Sequence, residues 1–375
     1  MTLTHQRSHH YQELAQEAPQ NRRRAVVGIG NFDGLHRGHQ ALIKAVIHAT
    51  HDVYNPQEVI ASVLTFDPHP LRFFRRAPNP KLIYSIEDRV SLLNHVGIEH
   101  VLLQHFDEAF AALSPEDFVE RVLIDSLRAQ HVVVGHDFAF GARRSGTVAQ
   151  LVDLCARHGV RVEVIEAQLA PEHRGDDHNK TRPLSSSWIR ESLADGHVKE
   201  AAQYLGRPYH LRGVVRRGHQ RGRQLGFPTA NLELSSEISP RPSVYAGWLS
   251  WGEGPKPAVI SVGNNPTFQH DHKLIDQQPW SVEVHVLSHD VKLEAELLSS
   301  NDKTRLNIAS TQGSTDASPA WLKLYDLPVS LWFVDHIRDM ISFQNIEDLK
   351  TQIKIDCDTA RQKLERSAIP AWPLV

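Results

Sequence analysis

From Arg24 to about His158, short apolar runs alternate with stretches of helical period, and this alternation constrains the fold more than any other feature of the chain. Ala25 to Ile29, Val59 to Thr65, His100 to Leu103, His131 to Val134 and Val160 to Ile165 read as strands. Ile86 to His95, Pro115 to Ser126 and Thr147 to His158 read as helices. Strands separated by helices need crossover connections, which give a mostly parallel α/β sheet with ligands at the carboxyl ends of its strands. After one more short helix, Val198 to Tyr204, the alternation stops. His210 to Arg216, Val244 to Trp251, Ala258 to Val262, Val282 to Leu287 and Val329 to Val334 are β-like runs between turn residues, pointing to a small antiparallel barrel or sandwich. A long helical period closes the chain at Ile346 to Leu364. At 375 residues the chain exceeds one ordinary core, so two domains are expected, residues 23–205 and 206–375, behind a flexible lead-in of residues 1–22.

The first strand runs into Gly28 to Gln40, G-I-G-N-F-D-G-L-H-R-G-H-Q. Ala41, Leu42, Ala45 and Val46 then keep helical spacing, so a helix begins near Gly38. A strand, a glycine-rich turn and a helix start present backbone N–H groups and a positive dipole end to phosphate. His36 and His39 stand at the helix mouth as hydrogen-bond donors, and Gly34 and Gly38 let a nucleotide approach the backbone. The turn is not a dinucleotide fingerprint, because Asp33 stands where the third glycine should be. The sequence contains no G-x-x-x-x-G-K-[ST] loop. Two histidines at this spacing also suit zinc, which leaves the chemistry open on the residues alone.

Further segments fall at strand or helix ends. Thr65-Phe66-Asp67-Pro68-His69-Pro70 closes the second strand, its prolines arguing against continuation in sheet or helix, either as a rigid surface turn or as a mount for Phe66 and His69 over a cleft. Gly135-His136-Asp137-Phe138-Ala139-Phe140-Gly141 follows another strand, and its phenylalanines suit a core or a ligand equally. Ser185-Ser186-Ser187-Trp188-Ile189-Arg190 opens a helix, where serines serve as caps or, with Arg190, as an anion site. In the second half, Gly218, Arg221, Gly222 and Gly226 lie in a loop able to wrap a phosphate chain. Pro228, Thr229 and Asn231 follow, with two oxygen ligands on one face of an extended segment that suit Mg²⁺. Glu283 lies in a strand whose Val282, Val284 and Val286 are expected to point inward, leaving the carboxylate on the opposite face.

G-N-F-D-G-x-H-x-G-H at residues 30–39 resembles the FMN adenylyltransferase half of bacterial bifunctional riboflavin kinase/FAD synthetases at every fixed position, within the wider H-x-G-H nucleotidyltransferases. The Ser185 segment resembles their I-S-S-T-x-I-R motif, with Leu184 and Ser187 as mild departures. The stretch from Gly218 to Leu232 resembles the G-x-G-R-G-x-x-x-G-F-P-T-A-N-L segment of riboflavin kinases, Gln220 replacing its second glycine. Ser243 likewise stands where the family's G-V-Y-A has glycine, and Asp137 where some members have asparagine. The resemblance covers roughly Ala25 to Leu364. It implies a Rossmann-like nucleotidyltransferase domain followed by a small antiparallel β-barrel kinase domain with a terminal helix.

It also implies a reaction sequence: Mg-ATP phosphorylates riboflavin to FMN, and a second ATP adenylylates FMN to FAD with release of pyrophosphate. By the same resemblance His36, His39, Arg190 and Glu283 are catalytic. Gly30, Asn31, Phe32, Asp33, Gly34, Ser185, Ser186, Ser187, Gly218, Arg221, Gly222, Gly226, Pro228 and Thr229 bind nucleotide. Phe66, Pro68, His69, Asp137, Phe138 and Arg338 bind flavin, and Thr229 and Asn231 hold Mg²⁺. Two alternatives stay open, a single activity out of the two and a non-catalytic flavin-responsive binding protein.

A net charge of −3 makes no electrostatic case for nucleic acid or membrane partners. Residues 1–20 hold no apolar run long enough for a signal peptide or span, so a cytoplasmic location is expected. Cys155 and Cys357, far apart in helical stretches, are expected to be reduced and buried. Residues 294–319, rich in Ser, Thr and Asn, are expected to form a disordered insertion. Related enzymes self-associate, so a homo-oligomer is admitted, but no stretch marks an interface.

Overall fold

The computed structural model describes residues 23–74, 81–170, 183–216, 225–234, 238–252, 254–263, 281–287 and 324–370. The lead-in 1–22 and the insertion 294–319 lie outside them. The chain divides into two compact units. One comprises Met1–Trp188 with Tyr204–Gly206, the other Ile189–Gln203 with Arg207–Val375.

The first unit runs β1 (Arg24–Ile29), α1 (Arg37–His48), β2 (Val59–Asp67), α2 (Pro70–Phe73), α3 (Ile86–His95), β3 (His100–His105), α4 (Glu108–Ala111), α5 (Pro115–Asp117), β4 (Ala129–Gly135), α6 (Val148–Ala156) and β5 (Arg161–Ile165). A π-helical stretch, Phe118–Ser126, continues α5. The five strands form one parallel sheet in the order β3-β2-β1-β4-β5. Sequence order reverses between β1 and β4, so a crevice opens at their carboxyl ends, the switch point where doubly wound folds bind ligands. Apolar residues on both faces explain the parallel arrangement. Val27, Ile29, Leu64, Val132 and Val134 pack with Phe118, Val122, Leu123 and Leu151 in a continuous core.

The sequence reading of the turn after β2 needs one correction. Its prolines do not forbid a helix: Pro70 opens the helical turn α2, with His69 as N-cap accepting from the Leu71 N–H at 3.1 Å. Proline is tolerated at the first helical position because the N–H it lacks has no partner there.

Helices α7 (Ser186–Ala194) and α8 (Val198–Leu205) lead to β6 (Tyr209–Arg216), β7 (Ala230–Leu234), β8 (Ser243–Ser250), β9 (Lys256–Gly263), β10 (Ser281–Val286), β11 (Pro328–Asp339) and α9 (Ile346–Glu365). The six strands close into an antiparallel barrel in the order β10-β7-β6-β11-β8-β9, which leaves no open sheet edge. Cys357, Ala360 and Leu364 of α9 pack against Val244, Ala246, Trp248 and Trp332 of the barrel wall. Both cysteines are free and buried, and burial pushes the Cys155 thiol up to about 11, which keeps it unreactive. In β10, Val282 and Val284 are buried as the alternation requires, while Val286 at the end of the strand is only half-buried. His285, on the same face as Glu283, is buried as well, beneath the Pro228 segment that it holds by a hydrogen bond.

Each unit carries a buried imidazole. His131 on β4 is fully buried with Nε2 3.3 Å from the Glu163 carboxylate. Desolvation lowers its pKa, Glu163 partly opposing and Arg161 adding to the shift. Burial, then Arg207 and Arg212, hold His210 on β6 well below the ordinary 6.5. In the unfolded chain both rings take up a proton as pH falls through about 6.5, whereas the folded chain resists it. Stability is therefore complete above that pH and declines below it. Urea midpoints at pH 7.5 and 5.5 are expected to fall with acidity, and a His210→Gln variant should lose part of the slope.

Candidate active sites

The segments after β1, β2 and β4 converge at the crevice of the parallel sheet. His36 is the N-cap of α1, and its Nδ1 accepts from the His39 N–H at 3.4 Å. In a neutral ring the Nε2 atom then carries the proton and is a donor. The His36 and His39 rings stack with centroids 3.7 Å apart and planes 18° from parallel, and Phe32 lies 5.3 Å from the His39 ring. Gly38 eases this packing, since a Cβ there would lie 3.1 Å from the His36 ring, a tight contact that the ring would have to relieve. Gly34 adopts φ +80°, and a Cβ would approach Ile83 to 2.8 Å. These features leave two imidazole edges beside the first amides of a twelve-residue helix, a geometry suited to anionic oxygens.

The turn is braced from several sides. Asp33 is buried, and its Oδ1 accepts from the Ile83 and Tyr84 amides at 3.0 and 3.4 Å. Its carbonyl accepts from the Ser186 hydroxyl at 2.8 Å, so the serine motif meets the first turn directly. Ser185 and Ser187 flank that contact, and Arg190 sits one turn into α7. The Asn31 carbonyl accepts from Thr65 Oγ1 at 3.3 Å and from Arg89 Nη1 at 3.0 Å. Gly30, whose own N–H bonds to the Leu64 carbonyl at 3.2 Å, begins the turn at the end of β1.

At the end of β2, Phe66 packs into the core and His69 is buried as a cap, while Pro68 lies between them. Beyond β4, Phe138 and Phe140 stack with centroids 5.6 Å apart, Phe140 in the core and Phe138 partly exposed beside Asp137. Phe66, Phe73, Phe106 and Phe110 extend this aromatic wall with centroid separations of 5.3 to 5.8 Å. Sequence reading missed Phe73 and Phe106, which lie in different segments and meet only through the β2–β3 pairing.

In the barrel, the antiparallel register sets Glu283 on β10 directly opposite Asn231 on β7. Opposed residues project to the same face, and Thr229, two residues before Asn231, shares it. The Thr229 hydroxyl lies 3.4 Å from Glu283 Oε2. Three oxygen-bearing side chains from two distant segments of the chain are thereby gathered. His285, two residues after Glu283, places Nδ1 2.8 Å from the Pro228 carbonyl and its ring against Phe227, holding the Pro228 segment against the strand. Its spacing from Glu283 was the available signal for that role. Gly226 precedes this segment with φ +87°. Gly218, Arg221 and Gly222 lie outside the described residues.

Arg338 uses its guanidinium fork on Asp356 of α9, at 2.7 to 3.1 Å, and donates to the Asp339 carbonyl at 2.9 Å. It fastens β11 to the terminal helix. The hydroxyl of Ser243, the residue that replaces a family glycine, reaches the Pro242 carbonyl at 2.6 Å and Asp339 Oδ1 at 3.3 Å. Among the described residues no group of three or more His, Cys, Asp or Glu is arranged to hold a metal ion, and no helix is long and apolar enough to cross a membrane.

A glycine-rich turn at the switch point of a parallel sheet, followed in the same chain by a closed barrel with a Thr-x-Asn segment facing a glutamate, suits a two-part nucleotidyltransferase and kinase. Residues 18–175 match the family model described as FAD synthetase, and residues 205–364 that described as riboflavin kinase. The bifunctional riboflavin kinase/FMN adenylyltransferase of Escherichia coli K12 is 31% identical over 92% of this chain and 94% of its own length. Its counterpart from Bacillus subtilis 168 is 35% identical over 70% and 78%. A crystal structure described as a macrolide-efflux protein from Streptococcus pneumoniae shares the fold with a TM-score of 0.68 and 26% identity, covering 92% of this chain and 96% of that chain. The chain belongs to the family of bifunctional riboflavin kinase/FMN adenylyltransferases, which make FAD from riboflavin by way of FMN.

Proposed function

We propose that the two chemical steps divide at residues 205/206, with adenylyl transfer before that boundary and the kinase after it. In the kinase, Glu283 takes the proton from the ribityl 5′-hydroxyl of riboflavin, whose oxygen attacks the γ-phosphorus of ATP. The Pγ–O bond to ADP breaks, and FMN and ADP leave. The observation that carries this assignment is the meeting of Glu283, Thr229 and Asn231 on one face of the barrel. A hydroxyl and an amide oxygen beside a carboxylate are hard donors that fit Mg²⁺. Thr229 and Asn231 would hold the ion, which when bound neutralises charge on the β and γ phosphates.

In the first half, a phosphate oxygen of FMN attacks the α-phosphorus of ATP, and the bond from that phosphorus to the bridging oxygen of pyrophosphate breaks. Neither step needs a covalent enzyme intermediate, so positioning and charge stabilisation supply the catalysis. His36 and His39 donate to the phosphates where negative charge grows, with Arg190 and the serine turn Ser185–Ser187 on the β and γ groups. The amides from Gly30 to Gly34 line the nucleotide. Phe66, Pro68, His69, Asp137 and Phe138 bound the flavin. A cytoplasmic enzyme working on riboflavin, FMN and Mg-ATP fits these roles.

Incubating the protein with riboflavin and Mg-ATP and resolving both products by chromatography tests the proposal. FMN should appear first and FAD follow. FMN alone or FAD only from supplied FMN would leave one activity, and unchanged riboflavin would leave a binding protein.

A further inference from the structure

The cation lodged beneath the phosphate-binding turn has no assigned part in the chemistry. Arg89 on α3 is 1% exposed, among the most deeply buried large side chains of the chain. Burying a guanidinium is costly unless its donors are used. Its Nη1 lies 3.0 Å from the Asn31 carbonyl and 3.5 Å from the Phe66 carbonyl. Asn31 belongs to the turn that leads to His36, and Phe66 to the end of β2. One nitrogen therefore ties the two segments at the mouth of the crevice. The same stretch of chain contributes the Ile83 and Tyr84 amides that hold the Asp33 carboxylate. The turn thus hangs from residues 83–89 at both Asn31 and Asp33.

We propose that Arg89 is a positioning residue for adenylyl transfer, fixing the distance between the nucleotide turn and the end of β2. The proposal rests on the assignment of adenylyl transfer to this crevice. Arg89 need not touch substrate. It acts through two carbonyls, whose fixed orientation sets the direction of the neighbouring amides and of His36. The rigid guanidinium plane fixes the direction of both N–H bonds on that nitrogen, whereas the ammonium of lysine turns freely on a flexible stem. A displaced turn and strand end meet ATP and FMN less well in the ground state as in the transition state, and such a loss of uniform binding raises KM.

The test compares wild type, Arg89→Lys, Arg89→Met and Thr65→Val in both reactions, with the melting curve of each. Thr65→Val removes the other side-chain bond to the Asn31 carbonyl without stranding a buried charge. The expected result is a rise of about tenfold or more in KM for both ATP and FMN in Arg89→Met, a smaller rise in Arg89→Lys, and a rise in the same direction in Thr65→Val. Riboflavin phosphorylation should stay within about twofold of wild type. Loss of folded enzyme lowers kcat without raising KM, so the split separates positioning from stability. Unchanged KM values, or a fall in kcat that only tracks the folded fraction, would overturn the proposal. Should Arg89→Met not fold, Thr65→Val and Arg89→Lys with wild-type KM values overturn it equally. Failure of the wild type itself to convert FMN to FAD would instead remove the assignment on which it rests.

Discussion

Replacing His36 with alanine is expected to leave riboflavin phosphorylation intact while FAD formation from FMN and ATP drops by about 10²- to 10³-fold, the usual cost of losing one preorganised donor to a developing charge. The imidazole has two jobs. Its Nδ1 caps α1 by accepting from the His39 N–H, which leaves Nε2 to carry the proton in the neutral ring and, in the proposed mechanism, to donate it to phosphate. Losing a helix cap costs about 1 kcal/mol of stability, too little to explain a large kinetic loss in a folded enzyme. A His36→Asn variant separates the roles, because asparagine caps helices well but does not reach as far. If His36→Asn remains as slow as His36→Ala, the donor is the catalytic element; recovery to wild-type rate would show that capping was all the residue did. Normal FAD formation by His36→Ala would remove the histidine from the mechanism altogether.

The second large effect belongs to the barrel. Glu283→Gln keeps the size of the side chain and an oxygen facing Thr229, but removes the base. Riboflavin phosphorylation should fall by about 10²- to 10⁴-fold, the range for general-base catalysis, while FAD formation from supplied FMN continues at the wild-type rate. Glutamine retains a polar contact with Thr229 and leaves Val282 and Val284 undisturbed in the core, so the barrel should stay folded. A Glu283→Gln enzyme that still makes FMN at the original rate would place the base elsewhere. Opposite outcomes in the two variants are the sharpest check that the two reactions use separate machinery.

Much of this was legible without coordinates. The β–α alternation up to His158 implies a parallel sheet, and the five strands form one; their order, β3-β2-β1-β4-β5, is not contained in the alternation. Helix α3 runs from Ile86 to His95 where the apolar period placed it. The short β runs after His210 leave a barrel or a sandwich, and closure of β10 onto both β7 and β9 selects the barrel. Local chemistry misled at Pro70, because proline both ends and begins helices, and Val286, expected inside, is only half-buried at the end of its strand.

Taken alone, the sequence determined the kinds of element, their order and the motifs that carry the family resemblance, since periodicity, turn chemistry and motif spacing are properties of neighbours along the chain. Tertiary structure decided which atoms those residues present. It turned the Asp33 carboxylate toward Ile83 and Tyr84, set Arg89 under the Asn31 and Phe66 carbonyls, gave Arg338 to Asp356, and brought Glu283 opposite Asn231. Each of these partners is separated by 18 to 58 residues, and bonds over such distances depend on strand register and helix packing, which no local pattern encodes.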